Sequence, residues 1–454
     1  MILTLLAFVL ALALLIAVHE YGHYRVAVAC GVKVLRFSIG FGRTLLRWQP
    51  KGSPTEFVLG AFPLGGYVRM LDEREAPVPA HERHLAFNTQ PLRARVAIVA
   101  AGPAANLLLA VLLYAVVNWS GVELPRALLP APLEGSLAQQ AGVVGGELVQ
   151  QGGFDGEMPQ AMESFDDVRW LLTRGALQGR NVRLVLAPRG RTASVEVVLG
   201  LHEFVDQEVN ERLFRRIGIV APLTRPVLGQ VMAGGAAERA GLREGDLVLR
   251  IGPNVVVDGQ QLRELIRASV HGPESMSLPW RLERGGSVLE LEVRSESRQD
   301  KGLWVGKIDA YVGAAPEMVT LQYGPLDGLL RGVERTWEVS LLTVRMLGKM
   351  LIGEASVKNL SGPLTIADYA GKSASLGLSQ YLVFLALISV SLGVLNLLPL
   401  PVLDGGHLMY YLWEGATGKS VSDAWMERLQ RAGVALLTVL MSIALFNDVS
   451  RLFG

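Results

Sequence analysis

The chain has 454 residues, enough for about three domains of ordinary size, so a single small domain is excluded. Its 43 Lys and Arg against 42 Asp and Glu leave no basic surplus for a phosphate backbone, so nucleic acid is not an expected partner. One cysteine, Cys30, rules out a disulfide framework and a Cys-rich metal module, so any metal site must be built from His and carboxylate. Half of the residues are hydrophobic, 19% are charged and mean hydropathy is +0.33, so the class depends on where the apolar residues lie.

The first apolar run, Met1 to Val18, carries no charge and as a helix would reach about 27 Å, close to the hydrocarbon thickness of a bilayer. It has neither a basic start nor a small-residue cleavage site, which argues against a cleaved signal peptide. His19-Glu20-Tyr21-Gly22-His23 continues it. Helical residues i and i+4 lie one above the other, so His19 and His23 can share one Zn²⁺ while Glu20, one step round, faces a water on that ion. Ionisable groups at membrane depth are costly, so this cluster calls for a function.

Residues 25–95 hold eleven Lys and Arg against five acids, which places them on the cytoplasmic side, the N-terminus outside and Cys30 in a reducing compartment. Within them Phe57 to Val68 is too short to span and is broken by Gly60, Pro63, Gly65 and Gly66. It is expected to be a hairpin dipping into the membrane; a cytoplasmic hairpin is the competing reading. The second span, Val96 to Val117, contains Gly102-Pro103-Ala104-Ala105-Asn106.

The long segment that follows is then extracytoplasmic and contains a repeat. Gly135 to Gly142 with Gly146 to Val149 matches Gly234 to Gly241 with Gly245 to Val248 at a constant offset of 99 residues. Each copy continues with a helical stretch, Val168 to Arg174 or Leu262 to Ala268, and an alternating strand pair. The pattern resembles the PDZ domain in circularly permuted order. That resemblance implies peptide-carboxylate loops at Ile217-Gly218-Ile219 and Val305-Gly306-Lys307; ordinary closing strands in spacer modules are the competing reading.

Charged residues at 331, 335, 338, 345 and 349 fall on one helical face, so the segment from about 326 to 352 is expected to lie on the outer leaflet, with packing on the second module as its rival. The third span, Tyr381 to Leu400, ends in Asn396-Leu-Leu-Pro399-Leu-Pro401-Val-Leu-Asp404-Gly-Gly-His407. The prolines break the helix, and the break leaves Asp404 as the favoured third ligand and His407 as its competitor. Ala432 to Phe446 is a shorter fourth span.

The order of these motifs resembles the site-2 proteases, in particular bacterial members with tandem PDZ modules. The resemblance implies zinc held by His19, His23 and Asp404, Glu20 as acid and base, and substrate contacts at Asn396, Pro399 and Pro401. It further implies a re-entrant sheet near Gly65 and Gly66 whose edge pairs with unwound substrate. Some relatives carry an asparagine where this chain has Ser391, so no role is carried there. The expected architecture is a membrane α-helical protein of four transmembrane helices with a re-entrant β-hairpin and two extracytoplasmic permuted PDZ domains (α+β), divided at 1–121, 122–223, 224–313, 314–370 and 371–454. The expected setting is the bacterial inner membrane, with membrane lipid around the spans, the N-terminus and PDZ domains periplasmic and the active site toward the cytoplasm. The expected partner is a single-pass membrane protein, an anti-sigma factor cut first by a site-1 protease. A PDZ scaffold with a vestigial metal site is the alternative, and a metal transporter would need a path of ligands where one compact cluster is visible.

Overall fold

The computed structural model describes residues 2–188, 193–204, 210–300, 302–352 and 362–453. They fall into two compact units, one of residues 1–122 with 322–353 and 357–454, the other centred on 123–321. Of the expected linker within 314–370, residues 353–361 lie outside the described residues.

In the first unit, helix α1 (Ile2–Ala29) contains the whole His19–His23 motif and stops at Gly31, whose φ of +80° few other residues adopt. Strands β1 (Val34–Trp48) and β2 (Glu56–Met70) follow. The segment Phe57 to Val68 does not close on itself as a hairpin. Phe57, Val58 and Leu59 pair with one side of Phe37–Ile39, while Gly66, Tyr67 and Val68 pair with the other. The outer half of β1 then pairs with β2 again, Trp48 against Phe57 and Phe41 against Phe62, so two long strands fold into a wider sheet. Bulges make this possible, with Gly40 and Gly42 at positive φ where β1 turns. Tyr24, Phe37 and Phe57 tie the sheet to α1 through ring contacts of 5.5–5.8 Å. Helix α2 (Leu92–Ser120) runs against α1 at small residues: a Cβ on Gly22 would collide with the Ala101 carbonyl.

In the second unit, β3 (Val122–Pro125) opens the chain path and two modules of one topology follow. The first has β4 (Leu148–Phe154), β5 (Gln160–Ala161), α3 (Phe165–Gln178), β6 (Val182–Ala187) and β7 (Val195–Leu199), with sheet order β5-β4-β6-β7. The second begins with β8 (Leu228–Val231), then repeats the pattern with β9 (Leu247–Ile251), β10 (Asn254–Val255), α4 (Gly259–Ala268), β11 (Ser277–Arg284) and β12 (Ser287–Arg294), in the order β10-β9-β11-β12. It is completed by β13 (Glu296–Asp300), β14 (Leu303–Lys307) and β15 (Ala310–Val312), and β16 (Met318–Leu321) pairs with β3. Each module closes over its own apolar core, Leu172, Leu184 and Phe165 in the first, Leu262, Leu282 and Trp280 in the second.

The repeated acid shapes the same turn in both copies. Glu147 accepts the Val144 and Gly145 amides at 2.8 and 2.7 Å; Asp246 accepts the Arg243 amide at 2.8 Å and both forks of Arg284 at 2.7 and 2.8 Å. Asp258 caps α4 through Gln261 and also accepts the Ala131 amide of the first module.

The chain returns to the first unit through α5 (Pro325–Leu351), α6 (Pro363–Ser375), α7 (Leu378–Asn396), α8 (Asp404–Thr417) and α9 (Asp423–Phe453). The expected surface helix is α5, and its packing partner is α2. Gly328 rests on Trp119, Gly332 lies under the Val111 carbonyl, and Trp119 Nε1 donates to Pro325 at 2.9 Å. Its charged periodicity hid a second, small-residue face, Gly328, Gly332, Thr336 and Val339, that fits against another helix. A third face, Leu326, Leu330, Val333, Trp337, Leu341 and Val344, remains exposed and apolar. Helices α1, α2, α7 and residues 424–450 of α9 are long and apolar enough to cross a membrane.

Burial pushes the Asp246 carboxyl up, but the bonds from Arg284 and from the Arg243 amide outweigh it and hold the group below its ordinary range. A carboxyl lowered by folding stabilises above its unfolded pKa of about 3.9 and gives up that stability as pH falls through the lower folded value. Circular dichroism melts of the full chain should therefore show a loss in the modules on acidification through that window, and D246N should melt lower at neutral pH with a shallower acid limb. Coincident curves would mean that the ion pair does not hold the turn.

Candidate metal centre

The centre is built on two antiparallel helices and one helix start. On α1, His19 and His23 project from one face at i and i+4, and their Nε2 atoms approach to 3.2 Å. The third group comes from α8. After α7 ends at Asn396 the chain turns through Pro399 and Pro401, and α8 begins at Asp404, where a carboxylate is favoured by the helix N-terminus. Gly405 and Gly406 permit this turn, since a Cβ on either would strike the carbonyls of Leu398 and Leu400. Asp404 Oδ2 thereby lies 3.2 Å from His19 Nε2 and 3.5 Å from His23 Nε2.

This triangle fits a metal ion. A tetrahedral ion with bonds of about 2.0–2.1 Å separates its ligand atoms by about 3.3–3.4 Å, and the three edges here are 3.2, 3.2 and 3.5 Å. His23 Nδ1 lies 2.8 Å from the Ile98 carbonyl. A carbonyl only accepts, so in the neutral ring Nδ1 carries the proton and Nε2 is bare. Asp404 Oδ2 is buried without a hydrogen-bond donor. Electron pairs thus converge on one point, which a cation resolves. Among the described residues these three are the one such cluster of His, Cys, Asp and Glu; His407 stands one turn along α8, its ring against Tyr410, outside it.

The other expected site residues are placed as follows. Glu20 packs against Gly66, where a Cβ would crowd its Cγ at 2.8 Å, so strand β2 reaches the acid next to His19. Gly65 lies under the Phe41 ring. Asn396 is half-buried at the end of α7, Pro399 exposed and Pro401 half-buried in the following turn. Val305, Gly306 and Lys307 lie in β14 beside α4, where Arg263, Arg267, Lys307 and Tyr311 help line a groove of about 400 Å³. Ile217-Gly218-Ile219 is different. It forms no strand: Ile217 ends a short helix capped by Asn210, Gly218 takes φ +93° against Ser136, and both isoleucines are buried in the module core. Apolar side chains at 213, 214 and 217 give the segment before Gly218 a helical period.

Sequence reasoning missed the part α2 plays. Gly102 faces the His23 imidazole and Asn106 lies 3.3 Å from His19 Nδ1. The signal was present as equal spacing, Gly102 to Asn106 and His19 to His23, but it becomes meaningful only once the helices are known to be antiparallel. Arg95 of α2 also pairs in bidentate fashion with Glu414 of α8, at 2.6 and 3.1 Å, and stacks on Tyr411, anchoring the helix that begins with Asp404. Because a Cβ on Gly102 would collide with the His23 ring, G102A should lower metal affinity about tenfold or more, read as bound metal per chain after chelator challenge. Unchanged metal content would mean that α2 can yield at this point.

The profile of peptidase family M50 matches residues 7–440. A Ralstonia nicotianae protein named "Putative zinc metalloprotease" is 43% identical over 467 residues, 99% of each chain. The regulator of sigma-E protease of Escherichia coli is 40% identical over 461 residues, 99% of this chain and 98% of its own, and that of Haemophilus influenzae is 38% identical over 450 residues, 98% of each. With the profile covering most of its length and such relatives nearly all of it, the chain belongs to peptidase family M50, the site-2 proteases, and is a metalloprotease of that type.

Proposed function

We propose that the chain is an intramembrane zinc endopeptidase of the bacterial inner membrane, cutting a single-pass membrane protein within or beside its membrane segment. The substrate is an anti-sigma factor already shortened by a site-1 protease, and the output is an envelope stress response. One observation carries this reading: two imidazole nitrogens on an apolar helix of membrane-spanning length and a carboxylate oxygen at the start of α8 converge in a triangle of 3.2, 3.2 and 3.5 Å. The names of the relatives, zinc metalloprotease and regulator of sigma-E protease, support the metal and the pathway.

His19, His23 and Asp404 would hold zinc. The ion supplies Lewis acidity toward a peptide carbonyl and acidifies water to a pKa of about 7. Glu20 takes the proton of the attacking water and returns it to the leaving amine. A transmembrane helix shields its own peptide bonds, so the substrate must unwind first. Gly66, beside Glu20, belongs to the strand that would receive the extended segment as an added strand, with Gly65 next to it. Asn396, Pro399 and Pro401 lie at the break between α7 and Asp404, and Asn396 would contact the substrate near the scissile bond. The repeat modules are read as periplasmic permuted PDZ domains, and the basic groove at Val305–Lys307 suits a newly made C-terminal carboxylate. The excess of basic residues in 25–95 supports a cytoplasmic position for the sheet and for the metal end of α1. A scaffold with a relic site would lack a ligand or the base, and all four residues are present.

E20Q should keep its zinc and lose cleavage of a reporter transmembrane substrate by about 10²-fold or more, scored in detergent with metal content beside activity; retained cleavage excludes Glu20 as base. D404A should lose zinc, and unchanged stoichiometry would redirect the ligand assignment. Replacing 126–317 with a short linker should leave cleavage of a short substrate intact and admit an uncut one; loss of the former would show that the modules do more than select.

A further inference from the structure

We propose that Asn106 is a positioning residue for His19: its side-chain oxygen accepts the proton on His19 Nδ1 and so keeps Nε2 aimed at His23 and Asp404. The inference rests on the metal-site reading above and concerns α2, a helix that contributes no ligand.

The two histidines need different help. His23 donates Nδ1–H to the Ile98 carbonyl at 2.8 Å, so its ring is fixed in place and in tautomer. Among the described residues, the side chain within hydrogen-bonding reach of His19 Nδ1 is the amide of Asn106, at 3.3 Å. Asn106 is fully buried, and its backbone carbonyl accepts Ser389 Oγ from α7 at 2.7 Å, which locks it where three helices meet. As placed, the amide nitrogen faces His19 Nδ1 and the amide oxygen is buried without a partner, a pairing that a half-turn of the carboxamide exchanges. A carboxamide presents either its oxygen or its nitrogen after a half-turn, so His19 decides between them. Nε2 of His19 lies 3.2 Å from both His23 Nε2 and Asp404 Oδ2, in the position of a ligand atom, and a ligating Nε2 leaves the ring proton on Nδ1. Only the oxygen end can receive that proton. The matching spacings then have one cause. On antiparallel helices Gly102 clears room for the ring of His23 while Asn106, one turn on, holds the ring of His19.

The test is chelator competition for zinc on the full chain in detergent, comparing wild type with N106L, which cannot accept, and N106D, which can. N106L is expected to bind zinc about 10–100-fold more weakly. N106D is expected to bind within a few-fold of wild type, and its cobalt-substituted absorption spectrum should match the wild type's. Wild-type affinity in N106L overturns the proposal. So does an N106D that binds as weakly as N106L, or that melts lower than wild type without metal, because its carboxylate would then face no proton. Should N106L fail to fold, the comparison of N106D with wild type decides alone: parity supports the proposal, and a tenfold loss overturns it. Failure of the underlying reading looks different, since wild type itself would then take up no zinc that depends on Asp404.

Discussion

The first unit depends on how closely two helices approach. Where α1 crosses α2, Gly22 lies against the Ala101 carbonyl and Gly102 against the His23 ring, and neither position has room for a methyl group. In lipid, apolar surface gives helices little reason to associate, so association rests on packing small residues until backbones touch and on the few polar contacts between them. Here those polar contacts are the histidines' own, His23 to the Ile98 carbonyl and His19 to Asn106. Holding the helices together and holding the imidazoles in place are therefore one requirement.

The carboxylate that completes the cluster is set by different means. A helix that ended at Asn396 and resumed at once could not present a carboxylate to α1. The Pro399–Pro401 turn, with Gly405 and Gly406 folded onto its carbonyls, swings a new helix start into position. The far end of that helix is tied by Glu414 to Arg95 on α2. Asp404 is thus fixed on one side by the turn after α7 and on the other by the ion pair that ties α8 to α2.

Much of this was legible in local patterns. The i, i+4 spacing of His19 and His23, the helix break before Asp404, the four apolar runs and the offset of 99 residues between the modules each depend on neighbours in sequence. What escaped notice depends on partners far along the chain. The segment Phe57–Val68 looked like a hairpin because its glycines and proline mark turns, yet both of its arms pair with Phe37–Ile39, and no local signal distinguishes the two pairings. Helix α5 showed its charges, while its small-residue face is recognisable only beside Val111 and Trp119. The short helix before Gly218, capped by Asn210 and carrying Leu213, Phe214 and Ile217 on its buried face, also went unread.

The distance along the chain between the imidazoles and the carboxylate has a consequence for biosynthesis. His19 and His23 leave the ribosome first, and Asp404 follows only after both modules and the third span have been made. Two imidazoles alone bind a metal weakly, so a nascent polypeptide lacks the full His19, His23 and Asp404 cluster. A hydrolase able to cut its neighbours in the bilayer is in this way kept inert until translation has nearly finished.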